Sequence, residues 1–156
     1  MSSDEASTPG RQDSVLAATG IYKRFGGEQV LRGVSLQVEK SERLLLIGRS
    51  GSGKTTMLRC LNALETPDEG KLYLNGKVFC EWGEGSKTSP SVKTLQKLRQ
   101  NVGMVFQNFE LFANMTALEN VCFGLRKVHG MSRTEAEERA HALLRRVGVD
   151  QRSHAH

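Results

Sequence analysis

The chain has no apolar run approaching the ~20 residues that cross a bilayer as a helix, which excludes a membrane-spanning helix. Its first ten residues, MSSDEASTPG, are polar and lack the apolar stretch of a secretory leader. Cysteine is scarce. Cys60, Cys80 and Cys122 lie far apart, without zinc-ligand spacing, and an odd count without pairing signals does not suit a disulfide framework. These absences suit a reducing cytoplasm, and Cys60 and Cys122 stand in apolar helical settings that read as core. Charge of one sign is not concentrated anywhere: 22 Lys+Arg against 17 Asp+Glu leave a net charge of +5, with the cations scattered. That balance favours anionic ligands and does not indicate a nucleic-acid partner. No internal repeat or heptad occurs. His129 and His141 stand beside charged helix residues and read as solvated. His154 and His156 close the chain without the context of a metal pair.

What remains is ordinary globular material. The 156 residues, 38% hydrophobic and 25% charged, suit one domain with a substantial core. Residues 1–14 read as a disordered tail and residues 151–156 as a frayed terminus. Residues 15–40 read as two strands around a turn of Phe25, Gly26 and Gly27, with Leu31, Val34, Leu36 and Val38 in the second strand. Residues 43–47 and 102–106 are short apolar runs of the kind found in buried parallel strands. A helix from Gly53 is expected to place Met57, Leu58, Leu61 and Leu64 on one face and to stop before Pro67 and Gly70. Residues 71–78 read as a hairpin turned by Asn75-Gly76, and residues 92–99 as a short helix. Thr116 with Glu119, and Ser132 with Glu135, are capping boxes. They open helices reaching about 127 and 148, the second carrying Ala136, Ala140, Leu143, Leu144 and Val147 and ending at Gly148.

The chemistry concentrates in GRSGSGKTT, residues 48–56. Gly48, Gly53, Lys54 and Thr55 fit the phosphate-loop pattern, and an apolar run precedes them while a helical segment follows. Such a loop turns backbone N–H groups inward around phosphate oxygens. The helix start adds the positive end of its dipole. Lys54 is expected to reach the β- and γ-phosphates and the Thr55 hydroxyl to ligate Mg²⁺. The nucleotide-binding set therefore includes Gly48, Arg49, Ser50, Gly51, Ser52, Gly53, Lys54, Thr55 and Thr56. Arg49 is a large cation for this loop. A loop of this kind also serves small phosphotransferases and nucleotide-binding modules without turnover.

Three further segments narrow the choice. FGGEQVLRGVSL before the loop, GRSGSGKTTMLRCLNALETPDEG through it and MVFQNFELFANMTALENV after it resemble the ATP-binding subunits of ABC transporters. The wording looks most like the branch that energises bacterial uptake of polar amino acids. The resemblance spans about residues 15–150 and implies an α/β fold: a P-loop NTPase core, here truncated, with an antiparallel β subdomain and the start of a helical subdomain. It implies that Phe25 stacks on adenine and that Gln107 acts catalytically, joining Thr55 at Mg²⁺ and meeting the attacking water. It implies that residues 108–115, from Asn108 through Phe109, Leu111 and Phe112 to Met115, dock an integral membrane permease subunit. A second nucleotide-binding subunit and a place on the cytoplasmic face of the cell membrane are implied too. Ala113 departs from the proline frequent there.

Within these 156 residues there is no Leu-Ser-Gly-Gly-Gln signature and no apolar run ending in Asp-Glu, and no switch histidine stands in a matching context. The chain therefore reads as the N-terminal part of such an ATPase. It keeps groups that hold phosphate but none identified to polarise the attacking water. The chain alone is expected to bind ATP without sustained turnover. Phosphate release by the pure protein that Lys54→Ala abolishes would overturn this.

Overall fold

Two twelve-residue strands, β1 (Ser14–Phe25) and β2 (Glu28–Glu39), pair antiparallel around Gly26 and Gly27. Both glycines take positive φ, 54° and 90°, a region open to glycine and closed to most side chains. The hairpin thus turns where its sequence places it. The computed structural model describes residues 14–84, 86, 90–108, 110–149 and 151. Of the tail expected over residues 1–14, only Ser14 lies among them, and it is the buried first residue of β1. Of the terminus expected to fray, only Gln151 lies among them; His154 and His156 lie outside.

The chain divides into two units, residues 1–104 and 105–156. In the first, β3 (Glu69–Leu74) pairs with β1, and β4 (Lys77–Trp82) pairs with β3, both antiparallel. The sheet order is β2-β1-β3-β4. Asn75 and Gly76, at φ 48° and 71°, make the two-residue turn whose positive φ values match strand twist. The expected hairpin is present, with both strands longer than expected. Two helices, α1 (Lys54–Leu61) and α2 (Val92–Asn101), share one apolar core with the sheet. Met57, Cys60 and Leu98 join Ile21, Leu31 and Leu72 there. Burial pushes the Cys60 and Cys80 thiols up to about 11, so both are inert core groups at neutral pH.

The buried face of α1 differs from expectation. Met57, Cys60 and Leu61 point inward, whereas Leu58 and Leu64 are exposed. The helix ends at Asn62 and the chain turns through Ala63 at φ 52°, so Leu64 never enters the helical period. Tertiary bonds hold this early stop. Arg99 donates to the Ala63 carbonyl at 2.7 Å, and Lys23 Nζ donates to the Thr66 carbonyl at 2.7 Å. Lys23 also pairs with Glu65 at 2.7 Å.

Neither run expected as a parallel strand is one. Residues 43–47 carry no regular structure, and Leu45 and Ile47 are 78% and 85% exposed. Residues 102–106 likewise form no strand, and Val105 is 98% exposed. A strand exists only through its neighbours' N–H and C=O groups. No described segment pairs with either run, so apolar composition alone leaves them outside the sheet. Only Leu46 and Val102 reach the core.

The second unit holds α3 (Ala117–Lys127) and α4 (Arg133–Arg146). They pack through Cys122, Ala136 and Ala140, where two alanines one turn apart permit close approach. Both capping boxes form, each Ser or Thr side chain accepting from the Glu backbone while the Glu side chain accepts from the cap. α4 stops at Arg146, with Gly148 at φ 75° and its N–H donating to the Arg145 carbonyl at 3.1 Å. Val147 therefore lies past the helix and is exposed. His129 is exposed as expected, whereas His141 is half-buried.

The lone run before the glycine-rich loop has a direct signature. Amides of residues 44–47 are expected to exchange with D₂O at nearly unprotected rates while those of β1 exchange slowly. Strong protection of residues 44–47 in a monomer would show that the run pairs after all.

Candidate functional site

The glycine-rich loop is shaped by two left-handed residues, Gly51 at φ 77° and Gly53 at φ 87°. A Cβ on Gly53 would stand 3.0 Å from Leu31 Cδ2 and 3.3 Å from the Val30 carbonyl oxygen. Only glycine lets the loop meet β2 this closely and then start α1. The helix opens with no side-chain cap and no acidic residue in its first turn. Two loop amides are engaged: Ser52 N–H donates to the Arg49 carbonyl at 3.3 Å, and Met57 N–H to the Gly53 carbonyl at 2.8 Å. The amides of Gly51, Gly53, Lys54, Thr55 and Thr56 have no acceptor among the described residues. Free helix-start amides carry partial positive charge. Arg49 and Lys54 reinforce it, and residues 43–59 contain no Asp or Glu.

Lys54 folds over this cradle. Its Nζ donates to the carbonyls of Gly48 at 2.8 Å and Arg49 at 2.7 Å, and to Ser52 Oγ at 3.3 Å. The ammonium thus rests on loop oxygens, beside the free amides, where an anion can compete for it. Gly48 faces the same knot, since a Cβ there would lie 2.8 Å from Ser52 Oγ. Ser50 and Thr55 are exposed, and Thr56 is half-buried. Neither the Thr55 hydroxyl nor the Arg49 guanidinium has a partner among the described residues. The arrangement can take several phosphate oxygens at once.

Phe25 closes β1 at the hairpin turn and is 45% exposed. Val30 and Leu31, which touch Gly53, lie shortly after that turn on β2. The hairpin end and the start of α1 are therefore neighbours. Lys23 Nζ lies 5.1 Å from the Phe25 ring centroid, a cation–π contact that steadies one face of the ring. The sequence reading passed over Lys23, because its role depends on Glu65 and Thr66 more than forty residues away.

The remaining candidates belong to the second unit. Gln107 is exposed on a bend near its start. In residues 108–115, Phe109 lies outside the described residues, while Leu111 is 66% exposed and Phe112 is half-exposed. Asn120 on α3 also escaped the sequence reading. Its side chain bonds back to the backbone at Phe112, Met115 and Thr116. A short polar residue one turn past the N-cap Thr116 was the available signal. Among the described residues, no cluster of His, Cys, Asp or Glu could hold a metal ion by itself. A hard divalent cation here would draw on the Thr55 hydroxyl and on phosphate oxygens, a donor set suited to Mg²⁺.

A family model described as ABC transporter matches residues 31–156. The histidine/lysine/arginine/ornithine transport ATP-binding protein of Escherichia coli (strain K12) is 41% identical over 143 residues, which are 90% of this chain and 56% of that protein. The glutamine transport ATP-binding protein of the same organism is 42% identical over 134 residues, 86% of this chain and 52% of that protein. A dimeric ATP-binding cassette in a post-hydrolysis state, bound to ADP and Pi, superposes with a TM-score of 0.72 at 29% identity, covering 90% of this chain and 60% of that one. The chain spans about half the length of the curated relatives it matches.

Removing the ammonium at the cradle should be measurable by calorimetric titration. Lys54→Ala is expected to weaken ATP binding by about 1.5–3 kcal/mol, the range for hydrogen bonds to charged groups. Phe25→Ala is expected to cost about 0.5–1.5 kcal/mol, one aromatic face. Equal ATP affinity in the wild type and Lys54→Ala would remove the site.

Proposed function

The chain belongs to the ABC transporter family, and from that premise we propose that it is an ATP-binding component of an importer for polar amino acids. The observation that carries the reading is the set of free amides at Gly51 and at Gly53, Lys54, Thr55 and Thr56, beside the Lys54 ammonium. The names of the relatives, transport ATP-binding proteins for basic amino acids and for glutamine, support the substrate class.

In this reading the loop amides and Lys54 hold the β- and γ-phosphates of ATP, and Phe25 offers its open face to adenine. The hydroxyl of Thr55, which has no partner among the described residues, would hold Mg²⁺, and the family resemblance assigns the Gln107 amide oxygen the same role. A cation held there would supply positive charge to offset the phosphates. Gln107 orients the attacking water. Residues 43–59 contain no carboxylate to polarise that water, and the roles proposed for this loop are binding and orientation. Residues 108–115 dock the permease on the cytoplasmic face of the membrane, and a second nucleotide-binding subunit completes the assembly. No described helix is long and apolar enough to cross a membrane. Arg145 and Arg146, which a phosphotransferase could use as a lid, sit in the last turn of α4. There they complement the helix dipole.

Two measurements test the proposal together. The chain is expected to bind Mg-ATP and to associate with the permease pair of a polar-amino-acid importer held in lipid nanodiscs. Phe112→Ala should weaken that association at least tenfold and leave ATP affinity unchanged. Transfer of phosphate to a small acceptor without any permease would instead favour a phosphotransferase.

A further inference from the structure

The loop before α3 is built by one side chain. Asn120 Oδ1 accepts the Phe112 N–H at 2.8 Å. Its Nδ2 donates to the carbonyls of Phe112 at 3.2 Å, Met115 at 3.1 Å and Thr116 at 3.0 Å. The Met115 N–H closes the turn on the Phe112 carbonyl at 3.0 Å. Both ends of the amide are therefore used, and its two N–H groups serve three carbonyls. Aspartate in this place would set a second oxygen against those carbonyls, and alanine would offer nothing.

This work is separate from starting the helix. α3 is already capped by Thr116 and Glu119, with Glu119 N–H donating to Thr116 Oγ1 at 3.2 Å and Thr116 N–H donating to Glu119 Oε2 at 2.8 Å. Asn120 lies one turn further in and reaches back over that cap. What it fixes is the preceding loop. The Phe112 ring rests on Phe123 at 4.9 Å between centroids, tilted by 55°, and Phe123 shares a helix face with Asn120. Leu111 stays outside, 66% exposed. A loop free to collapse would bury such side chains, since apolar exposure is unfavourable. Here a polar staple holds them out.

We propose that Asn120 is a positioning residue that folds residues 112–116 into a fixed turn and thereby presents Leu111 and Phe112 to the permease. The proposal rests on the docking reading given above for residues 108–115. It assigns Asn120 no contact with nucleotide or permease; its effect passes through the turn.

The test compares Asn120→Asp with Thr116→Ala, which weakens the helix cap and leaves the staple in place. Hydrogen exchange reads the Phe112 and Met115 amides, thermal melting reads the fold, calorimetry reads ATP affinity, and the same nanodisc-held permease pair reads assembly. Asn120→Asp is expected to lose protection at both amides and to bind the permease at least tenfold more weakly, with ATP affinity within twofold of wild type. Thr116→Ala is expected to melt earlier and yet bind the permease like wild type. Wild-type assembly by Asn120→Asp would overturn the proposal. So would equal losses in both variants, which would mean that Asn120 acts only through helix stability. A wild-type chain that binds ATP but no permease would overturn the docking reading and this inference with it. Unchanged amide protection in Asn120→Asp would refute the staple alone.

Discussion

At Gly53 the chain runs so close to β2 that a single added carbon would press on Leu31 and on the Val30 backbone. That contact sets where α1 begins and in which direction its first amides point. It also explains why a helix with no side-chain cap is tolerable: its open end lies at a loop that carries Arg49 and Lys54 and no carboxylate, and an anion can supply the missing acceptors. Lys54 then has only loop oxygens to bind. A Cβ at Gly53 would disturb the sheet contact, the helix start and the ammonium together.

The far end of α1 is held by different means. Lys23 reaches from β1 to Thr66, Glu65 and Asp68, and the Arg24 N–H donates to Asp68 at 2.7 Å. The bond to Glu65 raises the Lys23 pKa above its ordinary value despite partial burial. The Lys23 and Glu65 side chains are only 12% and 27% exposed, so desolvation offsets much of the attraction between them, whereas burial of one large apolar side chain contributes about 1.5–3 kcal/mol. The core formed by Met57, Leu61 and Leu98 with the sheet therefore holds the helix in place. The polar contacts select its end point. An eight-residue helix rises about 12 Å, so fixing both ends leaves the phosphate cradle little freedom to tilt.

The second unit reverses this relation between polar and apolar groups. Its core is small, built on Cys122, Ala136 and Ala140, and its most specific contacts are polar. Capping boxes start both helices, and one asparagine amide shapes the loop before the first. The apolar residues Leu111 and Phe112 are held at the surface by that framework. In the first unit the exposed Leu45 and Ile47 have no comparable framework, because a backbone run without a paired neighbour has nothing to fix its register.

The local features were legible in the sequence because each is decided within a few residues. Asn75-Gly76 forces positive φ in succession, Thr116 and Ser132 find their glutamates three residues on, and Gly148 relieves a left-handed turn. The phosphate loop belongs with them, its glycine spacing being a statement about local backbone shape. The sequence by itself therefore determined the helices, the antiparallel hairpins and the glycine-built loop at residues 48–56 on which the nucleotide proposal rests. Tertiary structure alone decided that α1 stops at Asn62, since Arg99 and Lys23 reach it from distant elements. It also decided that the runs at 43–47 and 102–106 are not strands. An apolar run states only that burial would be favourable; a strand forms when another backbone lies alongside to complete its hydrogen bonds.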